Sequence, residues 1–259
     1  DALSEKPERL YVYARMRSDE DTAKETYQDM FSRAQTLSFK AGEASAFVVP
    51  EILSIPQKIL EEYRRSDNGI RHFDRVLDQI LEKKAHTLPK EQELLLAQSQ
   101  DATQGYSQIF TMFNNADVKF PPITGENGQA LPVTHGNYIS LMENQDRRIR
   151  RDAFLSLYSM YAQFSNTLAA NFASNAKQAV FYARARGYAS SRQYYLGENE
   201  VPEAVYDNLL QAVHSHMEGL HRYAGLRKKA LGLEELHMYD LYVPLVKEAN
   251  RHFSFEEAK

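Results

Sequence analysis

The sequence predicts an all-α, mostly helical protein with one short hairpin or loop insertion. Over most of its 259 residues, apolar side chains recur every three or four positions, which is the period of an amphipathic helix. Three of the nine prolines and two glycines lie between Val118 and Val133, where they indicate a loop or hairpin whose strands could only be edge strands. We find no internal repeat of fixed period, which argues against a solenoid.

The region before the hairpin predicts four main helices. Ser18 or Asp21 can cap the first one, and the residue before Pro50 should be extended, which breaks the pattern at residues 47–50. Pro89 suits the first turn of the fourth helix, where a missing N–H costs little. The apolar faces of the first and third helices comprise Ala23, Tyr27, Met30, Phe31 and Ala34, and Ile70, Phe73, Val76, Leu77, Ile80 and Leu81.

Two long helices are predicted after the hairpin. Thr134 or Asp146 can cap the first, whose apolar positions continue from Ile149 to about Gly187, a length of roughly 60 Å. Pro202 opens the second, and Gly232 supplies a left-handed stop. A short strand is also possible at residues 251–255.

Composition excludes several classes of protein. The sequence has no cysteine, which excludes disulfides, thiolate metal sites and a cysteine nucleophile, and suits a reducing, cytoplasmic compartment. A net charge of -4 does not favour nucleic acid, and no apolar run approaches the roughly 20 residues of a membrane-spanning helix.

The last residues predict a helix start. Ser254 and Glu257 form a capping box, yet Lys259 is the final residue, so the pattern favours a truncated chain.

Three side chains form the sharpest candidate for metal binding. His214, Glu218 and His221 share one face of a helix at positions i, i+4 and i+7. One helix seldom supplies three ligands with tetrahedral geometry, so we predict a polar face without metal. No His-Glu-x-x-His pair occurs among the eight histidines.

Basic and aromatic clusters have mainly structural interpretations. Arg147, Arg148, Arg150 and Arg151 are flanked by acids, which favours a solvated face or structural ion pairs over a nucleic-acid site. The basic residues 227–229 fit the helix macrodipole.

Tyrosines can line a peptide-binding cleft, or they can pack at the seams between neighbouring helices. The seam is favoured for most of Tyr158, Tyr161, Tyr182, Tyr188, Tyr194 and Tyr195.

Short segments along nearly the whole chain resemble oligoendopeptidase F, a bacterial zinc peptidase of the thimet oligopeptidase superfamily. Each segment is a weak signal alone, and their order is that of the family. They are Leu10–Ala14, Ser18–Thr22, Pro50–Leu53, Lys84–Leu88, Ile109–Phe110, Asn115–Asp117, Leu131–Tyr138, Asp146–Arg147, Ala183–Tyr188, His221–Tyr223, Leu226–Lys229 and Tyr239–Pro244.

The resemblance implies a part of a zinc metalloendopeptidase that hydrolyses short oligopeptides in a deep cleft. Residues 1–115 would be part of the N-terminal helical domain, and residues 116–259 the start of the helical catalytic domain. The family's zinc-binding helix and its catalytic glutamate would fall beyond Lys259. The resemblance therefore assigns no catalytic or metal residue to this chain, leaves its substrate-binding residues unknown, and implies zinc only in the intact parent.

A second hypothesis comes from another class of protein. The chain could be a stand-alone helical binding or scaffold module without catalysis. Oligomeric state is open under both hypotheses, and neither involves a membrane or nucleic acid.

Overall fold

The computed structural model describes residues 2–246 and 253–259, and it confirms the all-α class with one small hairpin. The α-helices are α1 (Ala2–Glu20), α2 (Glu25–Ser45), α3 (Val48–Ser54), α4 (Gln57–Ser66), α5 (Asn68–Arg71), α6 (Asp74–Glu82), α7 (Lys90–Thr103), α8 (Gly105–Thr111), α9 (Tyr138–Met142), α10 (Arg147–Gln163), α11 (Ser165–Ala185), α12 (Ser191–Glu198), α13 (Glu203–Ala230) and α14 (Phe255–Ala258). Two 3₁₀ turns, Lys83–His86 and Met238–Asp240, and one π-helical turn, Met112–Asp117, complete the helical elements.

The hairpin lies where proline and glycine predict it. Strands β1 (Ile123–Thr124) and β2 (Ala130–Leu131) are antiparallel, with Ile123 opposite Leu131. Gly128 adopts a φ of 78° in the connecting turn, a conformation that suits a residue without Cβ. Each strand has two residues, because the neighbouring prolines cannot donate to a longer ladder.

The described residues form two compact units. Of these, residues 2–117 and 167–203 form unit 1, and residues 118–166, 204–246 and 253–259 form unit 2. In unit 1, α1 packs along α2, and α2 packs on α7. Its buried residues include Ala14, Tyr27, Ala34, Leu60, Leu77 and Leu96.

The core of unit 2 lies beneath the hairpin and α10. Ile149 and Ala153 of α10 are almost fully buried. The Ser156 hydroxyl donates to the carbonyl of Pro121 at 2.6 Å, which ties α10 to the segment before β1. The other buried members of this cluster are Ile123, Val133, Leu141 and Met142.

Several predicted helix ends are confirmed by their hydrogen bonds. Asp146 accepts from the N–H of Arg148 at the start of α10. Gly232 ends α13 with a φ of 64°. At Ser254 and Glu257 both hydrogen bonds of the capping box are present.

Four predicted boundaries are wrong. Neither Ser18 nor Asp21 caps the first predicted helix, because α2 begins at Glu25 after Lys24, which makes no side-chain cap, and Ser18 lies within α1. The long helix from Ile149 to Gly187 breaks at Phe164 (φ −101°, ψ 17°), next to Ser165 and Asn166, whose side chains compete for backbone hydrogen bonds and favour helix ends.

The other two corrections lie before the hairpin. Val48 and Val49 are helical rather than extended, because Pro50 occupies the first turn of α3, where its missing N–H costs nothing. The third predicted helix is divided into α5 and α6 around His72. Of the possible strand at 251–255, residues 251–252 lie outside the described residues, and Phe255 opens α14.

Candidate functional site

The predicted histidine face lies on α13. His214, Glu218 and His221 are all exposed. Within residues 2–246 and 253–259, no group of three or more His, Asp or Glu side chains is arranged to hold a metal ion. The zinc implied by the resemblance therefore does not fit any donor set in the described residues, and whether the histidine face binds metal stays a prediction.

The arginine run builds a buried ion-pair network in unit 2. The carboxylate of Asp240 is fully buried and accepts from Arg147 Nε and Nη2 at 3.1 and 3.0 Å, and from Arg150 Nη2 at 2.8 Å. The N–H of His237 donates to the same carboxylate at 3.0 Å. Since every contact is charge-assisted or comes from the backbone, this carboxylate is held in one orientation.

Opposing effects set the charge of Asp240. Burial alone would raise the pKa of this carboxyl, but the hydrogen bonds from Arg147, Arg150 and the His237 N–H outweigh it and lower the pKa to about 2. Asp240 is therefore an anion at neutral pH. An anion saturated by two guanidinium groups is a poor general base, so this network is structural.

Two arginines extend the network to backbone carbonyls. Arg150 donates to the carbonyls of Asn144, Gln145 and Tyr239 at 2.8–3.1 Å. Arg227 donates to the carbonyls of Asp240 and Val243 at 2.9 and 2.6 Å. The segment 239–243 is thus held between α10 and α13.

The outcome for the basic residues is mixed. Structural ion pairs are confirmed for the run, because Arg148 also pairs with Asp146 and Arg151 with Asp152. The macrodipole interpretation is wrong for Arg227, which is buried and donates hydrogen bonds to the carbonyls of Asp240 and Val243 instead.

A cavity of about 550 Å³ in unit 1 is the second candidate. His86 stacks on Tyr188 with ring centroids 3.6 Å apart, and His86 Nδ1 lies 2.9 Å from the carbonyl of Arg186. The Arg186 guanidinium forms two parallel bonds to Glu93, at 2.7 and 2.9 Å. These groups line the cavity together with Tyr194.

Two ionisable side chains that line the cavity, Glu93 and Tyr194, have shifted pKa values. Burial raises the pKa of Glu93, yet the Arg186 hydrogen bonds and the Leu88 N–H reverse this, so its pKa is lowered. Burial, followed by the nearby Glu198, raises the pKa of Tyr194 to about 12. Glu93 is already bound to a cation and Tyr194 stays protonated, so neither can activate water at neutral pH.

The seam role is confirmed for one of the six tyrosines, and the peptide-cleft role stays a prediction. Tyr182 is buried, and its hydroxyl forms hydrogen bonds with Ser99 and Thr103 at 2.9 and 3.0 Å, which confirms the seam interpretation for this residue. Tyr188 and Tyr194 line the cavity, while Tyr158 and Tyr195 are largely exposed.

Segments that carry the family resemblance meet in pairs. In unit 1, His86 of segment 84–88 contacts Arg186 and Tyr188 of segment 183–188. In unit 2, Arg147 binds Asp240. Sequence reasoning singled out neither Asp240 nor Glu93 as an ion-pair partner. Asp240 lies in the family-resembling segment Tyr239–Pro244, whereas Glu93 lies in none of these segments and has no sequence pattern that indicates it.

Comparisons with known proteins agree with this resemblance. The family model of "Oligopeptidase F" matches residues 51–120, and that of "Peptidase family M3" matches residues 140–259. Oligopeptidase PepF of Bacillus subtilis is 40% identical over 100% of this chain, which covers 39% of that protein. An oligoendopeptidase F homolog of Lactococcus lactis is 40% identical over 99% of this chain and 42% of its own length.

A solved structure extends the likeness to three dimensions. The crystal structure of oligoendopeptidase-F from Enterococcus faecium matches with a TM-score of 0.91 and 41% identity, over 96% of this chain and 48% of that one. The chain thus spans about two fifths of the curated relatives' length and half of the solved structure. In sequence and in fold, it belongs to the oligopeptidase F group of peptidase family M3.

Proposed function

We propose that this chain acts as part of a longer zinc metalloendopeptidase that hydrolyses short oligopeptides, and that it supplies cleft wall but not the zinc site. One observation carries the proposal: the match to oligoendopeptidase-F covers 96% of this chain at 41% identity. In this proposal residues 1–115 belong to the N-terminal helical domain, and residues 116–259 begin the catalytic domain.

The donor chemistry of the chain supports a zinc site elsewhere. The sequence has no cysteine and no His-Glu-x-x-His pair. Among the described residues, the carboxylates of the two candidate sites, Asp240 and Glu93, are saturated by arginine. We therefore assign this chain a role in shape and peptide contact, and none in activating water.

The proposed partners are short peptides. The arginine run, which is the strongest basic cluster in the sequence, is engaged in ion pairs, so we propose no nucleic-acid function. Among the described helices, none combines the length and the apolar character needed to cross a membrane. A cytoplasmic location is proposed from the cysteine-free composition.

Hydrolysis of a short internally quenched peptide tests this proposal. The longer protein should cleave the peptide and lose that activity on treatment with a zinc chelator, whereas the 259-residue chain should be inactive in both conditions. Chelator-sensitive turnover by the 259-residue chain alone would contradict the proposal and direct attention to His214 and His221.

The scaffold hypothesis is the alternative outcome of the same assay. If the longer protein is inactive on peptides and free of zinc, the fold assignment stands and the peptidase function fails. Peptide binding by the inactive protein would then favour a helical binding module.

A further inference from the structure

Helix α13 carries a stripe of apolar side chains along one side. At 100° per residue, Val205, Leu209, Val213 and Leu220 fall within one arc of about 80°. His214, Glu218 and His221 share the opposite side. Such a division of apolar and polar side chains is typical of a helix that buries one face against a protein core.

The apolar face of α13 is nevertheless open to solvent. Val205, Leu209, Val213 and Leu220 each expose 51–59% of their surface. Of the 28 residues of this helix, all of which are described, Arg227 is the one that is buried. A contiguous patch of exposed apolar side chains is typical of a surface that contacts another protein segment.

The same face is already covered at one position near its C-terminal end, Arg227. Val213, Leu220 and Arg227 are spaced by seven residues and therefore lie nearly above one another along the helix. At the last of these positions, the segment 239–243 packs over the helix and receives the two Arg227 hydrogen bonds. The uncovered positions thus continue an interface that this chain begins.

We infer that the apolar face of α13, from Val205 to Leu220, is an internal interface, covered in the longer protein by an apolar segment of the same polypeptide. This inference rests on the proposed function, because it needs the longer protein. Two observations support this occupant. The chain covers 48% of the solved relative, so a comparable length of that protein is outside the match. The interface also continues the one formed at Arg227 by the chain's own segment 239–243.

The occupant must be apolar and closely packed. The four side chains offer neither charge nor hydrogen-bonding groups, so a polar or acidic partner would leave its own groups desolvated and unpaired. A neighbouring helix that contributes its own apolar stripe satisfies this condition at the usual spacing of packed helices.

The absence of cysteine in this sequence allows a direct test. Leu209→Cys places a thiol on the apolar face, and Gln211→Cys places a matched thiol on the exposed polar side of the same helix. Each variant is made in the 259-residue chain and in the longer protein, and maleimide labelling at that position is followed by mass spectrometry. Circular dichroism checks that each variant remains helical.

We expect the labelling rates of the two thiols to differ in the longer protein and to be similar in the 259-residue chain. Both thiols should react at similar rates in the 259-residue chain. In the longer protein, Leu209→Cys should react at least about tenfold more slowly, because labelling then requires local opening, while Gln211→Cys should be unchanged.

Two results would overturn the inference. Equal reactivity of the two positions in the longer protein would show that nothing covers the face. Protection of Leu209→Cys in the 259-residue chain that rises with its concentration would identify a second copy as the occupant. Peptide hydrolysis by the unlabelled longer protein tests the proposed function separately, so the two failures can be distinguished.

Discussion

Each unit of the molecule contains an ion pair between residues about 90 positions apart, and the two pairs differ in burial. In unit 2, Asp240 and Arg150 are 0% and 3% exposed. In unit 1, Glu93 and Arg186 are 12% and 25% exposed and line a cavity. Breaking a buried pair leaves an uncompensated charge away from water, whereas a partly exposed charge can be rehydrated. The same chemistry should therefore stabilise the two units to different degrees.

Removal of the buried carboxylate should have the largest effect. Asp240→Ala leaves Arg147 and Arg150 without their anion, and we expect the free energy of unfolding to fall by about 3–5 kcal/mol in urea titrations. Asp152→Ala is the control, because this carboxylate pairs with Arg148 and Arg151 near the surface of the same unit. We expect about 0–1 kcal/mol for it. Equal losses for the two variants would show that burial does not govern the network.

Acid should weaken the same network. The pKa of Asp240 is lowered from 3.8 to about 2 by its arginine and backbone donors. A carboxyl with a lowered pKa in the folded protein contributes stability above its unfolded pKa, and the contribution is lost as pH falls through the folded value. About 2 kcal/mol should disappear between about pH 4 and pH 2.

A pH series on one variant checks this sign. The difference in unfolding free energy between the unchanged chain and Asp240→Asn should shrink as pH falls from about 5 to about 2. A difference that stays constant or grows on acidification would contradict the assigned pKa. Glu93, whose pKa is also lowered, is present in both proteins and cancels in the comparison.

Loss of the Glu93–Arg186 pair should lower the free energy of unfolding less than loss of Asp240 does. Glu93→Gln removes the charge but keeps most of the shape, and Arg186 remains partly accessible to water. We expect a loss of about 1–2 kcal/mol in the same urea titrations. Glu91→Gln, at an exposed position two residues earlier on α7, is the matched control and should change little. A loss as large as that of Asp240→Ala would remove the distinction between the two units.

Local features of this fold could be predicted from the sequence because their causes lie within a few residues. The Asp146 cap, the Gly232 stop and the hairpin between its prolines each depend on neighbours in the chain. The break at Phe164 was missed because apolar periodicity continues through it, and only Ser165 and Asn166 indicate it. Helix α1 was missed as well, since its mean hydropathy is low and its apolar spacing is irregular.

The candidate sites could not be derived from the residues alone. Arg147 and Asp240 are 93 positions apart, as are Glu93 and Arg186, and no local period relates them. Family resemblance pointed to the segments that contain three of these four residues, although not to their pairing. The domains assigned to residues 1–115 and 116–259 stay a prediction, since they concern the longer protein.

Zinc content tests the central claim most directly, namely that this chain builds structure and peptide-facing surface while the metal site lies elsewhere in the longer protein. Both proteins are purified, dialysed against zinc and then against metal-free buffer, and their metal is measured by atomic emission. The account predicts stoichiometric zinc in the longer protein, and in the 259-residue chain only a trace that His214→Ala with His221→Ala does not change. Stoichiometric zinc in the 259-residue chain, lost on that double substitution, would contradict it.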